Sequence, residues 1–114
     1  MSVKQTHYVM LGIDIGFYDS EKLYEGLEPY MEEGGEIFCL YDGMNGEYII
    51  LGEILHKGDD YHGMDLKKHT IGHLEAVSKD VYRIAKRVMA EIFQKESDEI
   101  KMVKPSLIMV THHE

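Results

Sequence analysis

Two histidines four residues apart, His69 and His73, come nearest to a reaction centre in this 114-residue chain. On a helix that spacing puts both imidazoles on one side, one turn apart. His62 and the carboxylates of Asp59, Asp60 and Asp65 lie just before them. Imidazole with carboxylate is a donor set that suits Zn2+ or another transition metal. The set lacks the glutamate that follows the first histidine in His-Glu-x-x-His, and it lacks a cysteine pair. His62, His69 and His73 therefore stand as zinc candidates against a plainer reading as an exposed polar helix edge, and no cofactor is expected. The terminal His112-His113-Glu114 reads as a frayed tail. No Gly-x-Ser-x-Gly, P-loop or Cys–His motif is present, so an enzyme is not expected.

The acids form the second pattern. From Asp14 to Asp65 there are 14 acids and two bases, Lys22 and Lys57, whereas Leu66 to Lys104 holds nine bases and six acids. The net charge is −9. Such a field repels free nucleic acid but not a basic protein surface. Glu21, Glu25, Glu28, Glu32, Glu33, Glu36 and Asp42 are the residues expected to meet such a partner. Eight tyrosines raise the question of base stacking. The relevant strand, Gly46-Glu-Tyr-Ile-Ile-Leu-Gly52, is acidic and aliphatic, which disfavours RNA binding.

These residues need a scaffold, and its clearest mark is Glu36 to Leu55. Two β-prone runs flank Asp42-Gly-Met-Asn-Gly46, a cluster suited to a tight reversal, so a hairpin is expected with strands Glu36–Tyr41 and Glu47–His56. Before it, the apolar run Thr6–Ile15 suits a strand central in a sheet. Asp19 or Ser20 can cap a helix carrying Leu23, Leu27 and Met31, with Pro29 breaking it or opening a short second turn. After it, Leu74, Val77, Val81, Ile84, Val88 and Ile92 step by three or four, with Lys79, Arg83 and Lys86 opposite. A helix is expected from about Lys67 to Glu96, with Asp65 as a cap and Gly72 as a reason for a later start. Ser106–His112 makes the last strand.

The order β-α-β-β-α-β in one domain indicates an α+β fold. The expected form is the ferredoxin-like, split-βαβ arrangement: a four-stranded antiparallel sheet with two helices on one face and the first and third strands central. A different strand order with the same elements is the alternative. Cys39, the one cysteine, falls inside a strand and reads as a small buried core residue suited to a reducing cytoplasm. No apolar run is long enough for a membrane span.

Two resemblances carry functional implications. Gly12-Ile-Asp14-Ile-Gly16 after a strand is similar to the first phosphate-binding turn of the actin and sugar-kinase ATPases. Here Phe17-Tyr-Asp-Ser20 leads into a helix instead of a β-hairpin, and that fold needs two large domains, so ATP binding is not expected. The segment Tyr41-Asp-Gly-Met-Asn-Gly-Glu-Tyr-Ile-Ile-Leu-Gly-Glu-Ile-Leu55, with Lys57-Gly-Asp-Asp-Tyr61, resembles small accessory proteins of tailed bacteriophages. That resemblance implies a protein acting in the host cytoplasm, often by binding a host component. The leading expectation is an acidic protein-interaction module binding a basic host protein. The alternative is a ferredoxin-like regulatory domain for a small molecule or metal. Self-association is left open.

Overall fold

The computed structural model describes residues 5–59 and 67–113. Within them the elements run β1 (Gln5–Asp14), α1 (Glu21–Leu27), β2 (Phe38–Tyr41), β3 (Ile49–Gly58), α2 (Ile71–Phe93) and β4 (Ser106–His113), with 3-10 turns at Glu28–Tyr30 and Ser97–Glu99. The fold is α+β, with one four-stranded antiparallel sheet in the order β2-β3-β1-β4. β1 and β3 are central, and the last strand pairs with the first rather than with the second.

Each boundary has a local cause. Ser20 caps α1, its hydroxyl accepting from the Leu23 N–H at 3.3 Å. Pro29 lacks an N–H to continue that helix, so the chain tightens into the 3-10 turn with the proline in its first turn. α2 begins later and ends earlier than hydropathy spacing suggests. Its cap is Thr70, whose hydroxyl accepts from the His73 N–H at 3.1 Å. It stops at Gln94, whose left-handed φ of 55° turns the backbone so that the Lys95 N–H reaches the Ala90 carbonyl. Asp65, the expected cap, lies outside the described residues. The hairpin strands begin later than expected, at Phe38 and Ile49; β3 starts late because the Asp42–Tyr48 connection is held by its own hydrogen bonds.

Both helices cover one sheet face. Leu23 and Leu27 of α1 and Val77, Val81, Ile84, Ala85 and Val88 of α2 form one buried cluster with Leu11, Ile13, Cys39, Ile49 and Leu51. The helices meet closely at Gly26, where a side-chain carbon would stand 2.6 Å from Ile92 Cγ1.

The other face carries no helix and yet has a core of its own: Met10 is 0 % exposed, Ile50 2 % and Leu40 3 %. Aromatic rings supply the cover. Tyr8 stacks on Phe38 with centroids 6.0 Å apart and meets His112 edge-on. The Tyr48 hydroxyl is hydrogen-bonded to His112 Nδ1 at 2.7 Å. Tyr48 precedes β3 beside the end of β2, whereas His112 sits beside Thr6 at the far end of β4. By register these are diagonally opposite corners of the sheet, and their side chains meet across the helix-free face. His112 is thus a buried strand residue, not part of a frayed tail.

The same face requires two glycines. Gly12 and Gly52 oppose each other on β1 and β3, and a Cβ on Gly52 would stand 2.4 Å from the Leu11 carbonyl oxygen and 2.5 Å from Gly12 Cα. Backbone cannot yield as a flexible side chain does. Gly52→Ala is expected to lose about 1–3 kcal/mol as the two strands are forced apart. Gly72→Ala is the contrast. That position is open, and alanine there should be neutral or stabilising by up to about 1 kcal/mol. Urea midpoints for the two variants check both, and equal midpoints would show that the close approach is not needed.

Candidate functional site

The acids expected at a partner surface fall into three groups. Glu21, Glu25, Glu28 and Glu32 run along one side of α1 and the turn after it, spaced by four, three and four residues, and all are exposed. The helix buries Leu23 and Leu27 on its other side, so amphipathic packing leaves these carboxylates outward. Among the described residues none of the four has an ion-pair partner.

Glu33 and Glu36 are engaged. Lys57 Nζ lies 2.7 Å from Glu33 Oε2. The Arg87 guanidinium grips Glu36 with both terminal nitrogens. That hydrogen bond, with the charges of Arg87 and Arg83, holds the Glu36 carboxyl below the usual carboxylate range. The pair joins the acidic stretch before β2 to the basic helix α2, so the acidic and basic regions adjoin in the helical layer rather than facing opposite ways. Both groups are well exposed, so the pair adds little to stability.

Asp42 is removed from the surface altogether. It is 1 % exposed. Its Oδ1 accepts from the Asn45 N–H and its Oδ2 from the Glu47 N–H, each at 3.0 Å, and its carbonyl accepts from the Gly46 N–H. Asp42 therefore shapes the hairpin turn rather than offering charge to a partner. The sequence signal for this role was an Asp opening the turn cluster Asp42–Gly46, a position where a short carboxylate can accept from the turn's own backbone N–H groups.

His69 and His73 stand on one side of α2 and just before it, with rings stacked at a centroid distance of 6.3 Å. Both are exposed. His62, the third zinc candidate, and Asp60 and Asp65 lie outside the described residues. Among those described, no three of His, Cys, Asp and Glu converge as a metal would require. The tyrosines on the helix-free face are engaged in packing: Tyr8 is 4 % exposed, and burial pushes the Tyr48 phenol up to about 12. Stacked bases could not reach them without unmaking the aromatic cover.

A feature that linear spacing did not reveal is a cleft of about 540 Å3 at the C-terminal end of β1. Ile13, Leu23, Met89, Phe93, Ile100 and Met102 supply apolar walls, and Asp14, Ser20 and Lys101 lie at its polar margin. The Asp14 carboxylate is partly occupied, accepting from the Gly16 N–H at 2.9 Å. Gly16 takes a φ of 77°, so the Gly-Ile-Asp-Ile-Gly stretch ends in an Asp-stabilised turn. The Ser97–Lys104 connector, whose composition marks it only as polar, forms one wall, which is why the cleft was not legible in advance.

Among the described residues no helix is long and apolar enough to cross a membrane. No protein-family model, no curated protein and no solved structure matches this chain, and so no enzyme family is indicated.

Proposed function

We propose that the protein is a small acidic interaction module of the kind tailed bacteriophages encode, acting in the bacterial cytoplasm by binding a basic surface of a host protein. The observation that carries this reading is the exposed stripe Glu21, Glu25, Glu28 and Glu32, whose charges are unpaired among the described residues. A surface that normally binds nucleic acid would suit such a stripe, making the protein a charge mimic. The β-α-β-β-α-β succession with β1 and β3 central supports taking the scaffold as ferredoxin-like.

Unpaired carboxylates in one row attract a basic partner over about a Debye length, roughly 8 Å at physiological salt. Their main effect is on the encounter rate. With a partner captured from bacterial lysate, reversing Glu25, Glu28 and Glu32 to lysine is expected to slow association by about tenfold or more at low salt, while dissociation changes less. Reversing Lys79, Arg83 and Lys86 to glutamate should do much less. Surface-binding kinetics at two salt concentrations read both. An affinity that is flat with salt, or lost only on reversing the basic residues, would refute the acidic stripe as the contact.

The cleft beside β1 favours a second reading, a regulatory domain for a small, largely apolar molecule with one polar group. Co-purified small molecules released on denaturation and identified by mass spectrometry would distinguish it, since the first reading requires none.

A further inference from the structure

β1 outruns one of its two partners. Its register with β4 ends at Gly12, opposite Ser106, whereas its register with β3 continues to Asp14. One step further on, the Ile15 N–H donates to the Ile49 carbonyl at 2.9 Å. Hydrogen-bonded and non-hydrogen-bonded pairs alternate along an antiparallel ladder. The N–H and C=O of Asp14 therefore turn away from β3, toward the side where β4 has ended. Among the described residues no backbone group meets them there.

The cleft of about 540 Å3 lies at this strand end, with residues 100–103 as one wall. Its floor is apolar and buried: Ile13, Leu23 and Met89. Tyr18, Phe93 and Val103 also line it, and they are 57 %, 37 % and 66 % exposed. Isolated apolar residues on a surface need no explanation, but three around one apolar cleft do. Two opposite charges stand at the margin, Asp14 and Lys101, both exposed. Among the described residues neither is in an ion pair, with the other or with a third group. Asp14 Oδ1 accepts from the Gly16 N–H, which leaves Oδ2 for another donor. Gln5 and Gly58, which lead toward undescribed residues, lie at the opposite end of β1.

We propose that this cleft binds a free α-amino acid with a large apolar side chain, such as leucine, methionine or phenylalanine. The proposal rests on the small-molecule reading of the cleft and names the polar group as a zwitterionic head. The ligand's ammonium donates to the Asp14 carboxylate and to its open main-chain carbonyl. The ligand's carboxylate pairs with the Lys101 ammonium, and its side chain lies over Leu23, Met89 and Phe93. Charge complementarity selects this class. A fatty acid or other simple anion matches Lys101 alone and faces both Asp14 and a net charge of −9. A simple amine matches Asp14 alone and faces Lys101. A zwitterion answers both groups and brings no net charge. The volume also fits, since small-molecule sites commonly span about 300–1,000 Å3. Pairs at an exposed margin are weak, so the apolar side chain supplies most of the affinity and the two charges supply the selection.

Calorimetric titration of the full chain with L-leucine, L-methionine and L-phenylalanine tests this, and one molecule is expected to bind per chain. 2-Phenylethylamine lacks the carboxylate and 3-phenylpropionate lacks the ammonium. Each should bind at least about tenfold more weakly than phenylalanine, the loss of one charge-assisted contact. Asp14→Asn keeps an oxygen for the Gly16 N–H while removing the charge. It should weaken phenylalanine by about tenfold and leave 3-phenylpropionate no weaker. Lys101→Gln should also weaken phenylalanine by about tenfold and leave 2-phenylethylamine no weaker. Circular dichroism of both variants should match wild type, since both positions are exposed. Equal binding of phenylalanine and its two singly charged analogues would overturn the zwitterionic head and spare a small-molecule cleft. N-Acetylphenylalanine amide binding as well as phenylalanine would mean that the open strand end takes a peptide, and the proposal falls. Binding that neither variant weakens places the ligand elsewhere and overturns it too. If none of the three amino acids binds, the proposal is wrong, and the search for co-purified molecules decides separately whether the small-molecule reading falls with it.

Discussion

Replacing Ile84 with alanine is expected to cost about 2–5 kcal/mol, while replacing its neighbour Arg83 with alanine is expected to change stability by less than about 0.5 kcal/mol. Ile84 lies in the cluster between α2 and the sheet, next to Val81 and Val88, which are 4 % and 1 % exposed. Truncation there removes three carbons from a close-packed site whose neighbours are fixed by two central strands, and the space cannot fill by local collapse. Arg83 has a side chain 66 % exposed, and its one ion pair among the described residues is with Asp80, at 3.6 Å within the same helix. Such pairs contribute a few tenths of a kcal/mol at most. Urea unfolding of the two variants beside wild type measures both values. Equal midpoints would mean that α2 presents a different face to the sheet.

The second large effect is alkaline and comes from Cys39. Its thiol is 1 % exposed, and desolvation pushes it from the ordinary value of 9.0 up to about 12. Below pH 9 the thiol is protonated in both folded and unfolded chains, so pH has no leverage through it. Above that, the unfolded chain releases the proton and the folded chain retains it. Stability therefore falls as pH rises, by up to about 1.4 kcal/mol per pH unit and by about 4 kcal/mol across the full window from 9 to 12. The Tyr48 phenol, ordinarily at 10.0 and raised by burial, acts in the same direction over the upper part of the window. Cys39→Ala should be less stable than wild type at pH 8 because of the lost packing, but its stability should fall less steeply toward pH 10.5. Parallel profiles for the two proteins would show that the thiol is not the titrating group. At neutral pH the native thiol should also resist thiol reagents that modify it readily in urea.

Periodicity made the element order and the inner face of α2 legible, because burial on one side imposes a spacing that a single element displays by itself. It made the α1 glutamates legible for the same reason: Leu23 and Leu27 point in, so 21, 25 and 28 point out. What could not be read was anything decided between distant segments. Glu36 and Asp42 look alike as acids in a chain, yet one is bound to Arg87 and the other is folded into a turn. His112 looks like part of a ragged end until Tyr48, 64 positions away, is seen beside it. Gly12 and Gly52 look like ordinary strand interruptions until β1 and β3 are laid side by side. The exposure of Leu107 and Met109 depends on where α2 lies across the sheet, which no residue of β4 reveals.

The pairing of β1 with β4 also has a temporal meaning. β1 is made well before β4, and Gln5 finds its partner only in His113. Until β4 has been made, the central strand lacks its β4 partner, and the bridge from Tyr48 to His112 that covers the helix-free face cannot close. Closing such long loops costs entropy before any contact repays it, which makes β4 docking a late and slow event. Until then Met10 and Ile50 face water, and the open side of β1 can accept any passing strand. The nascent chain is thus most vulnerable to mispairing just before β4 is made.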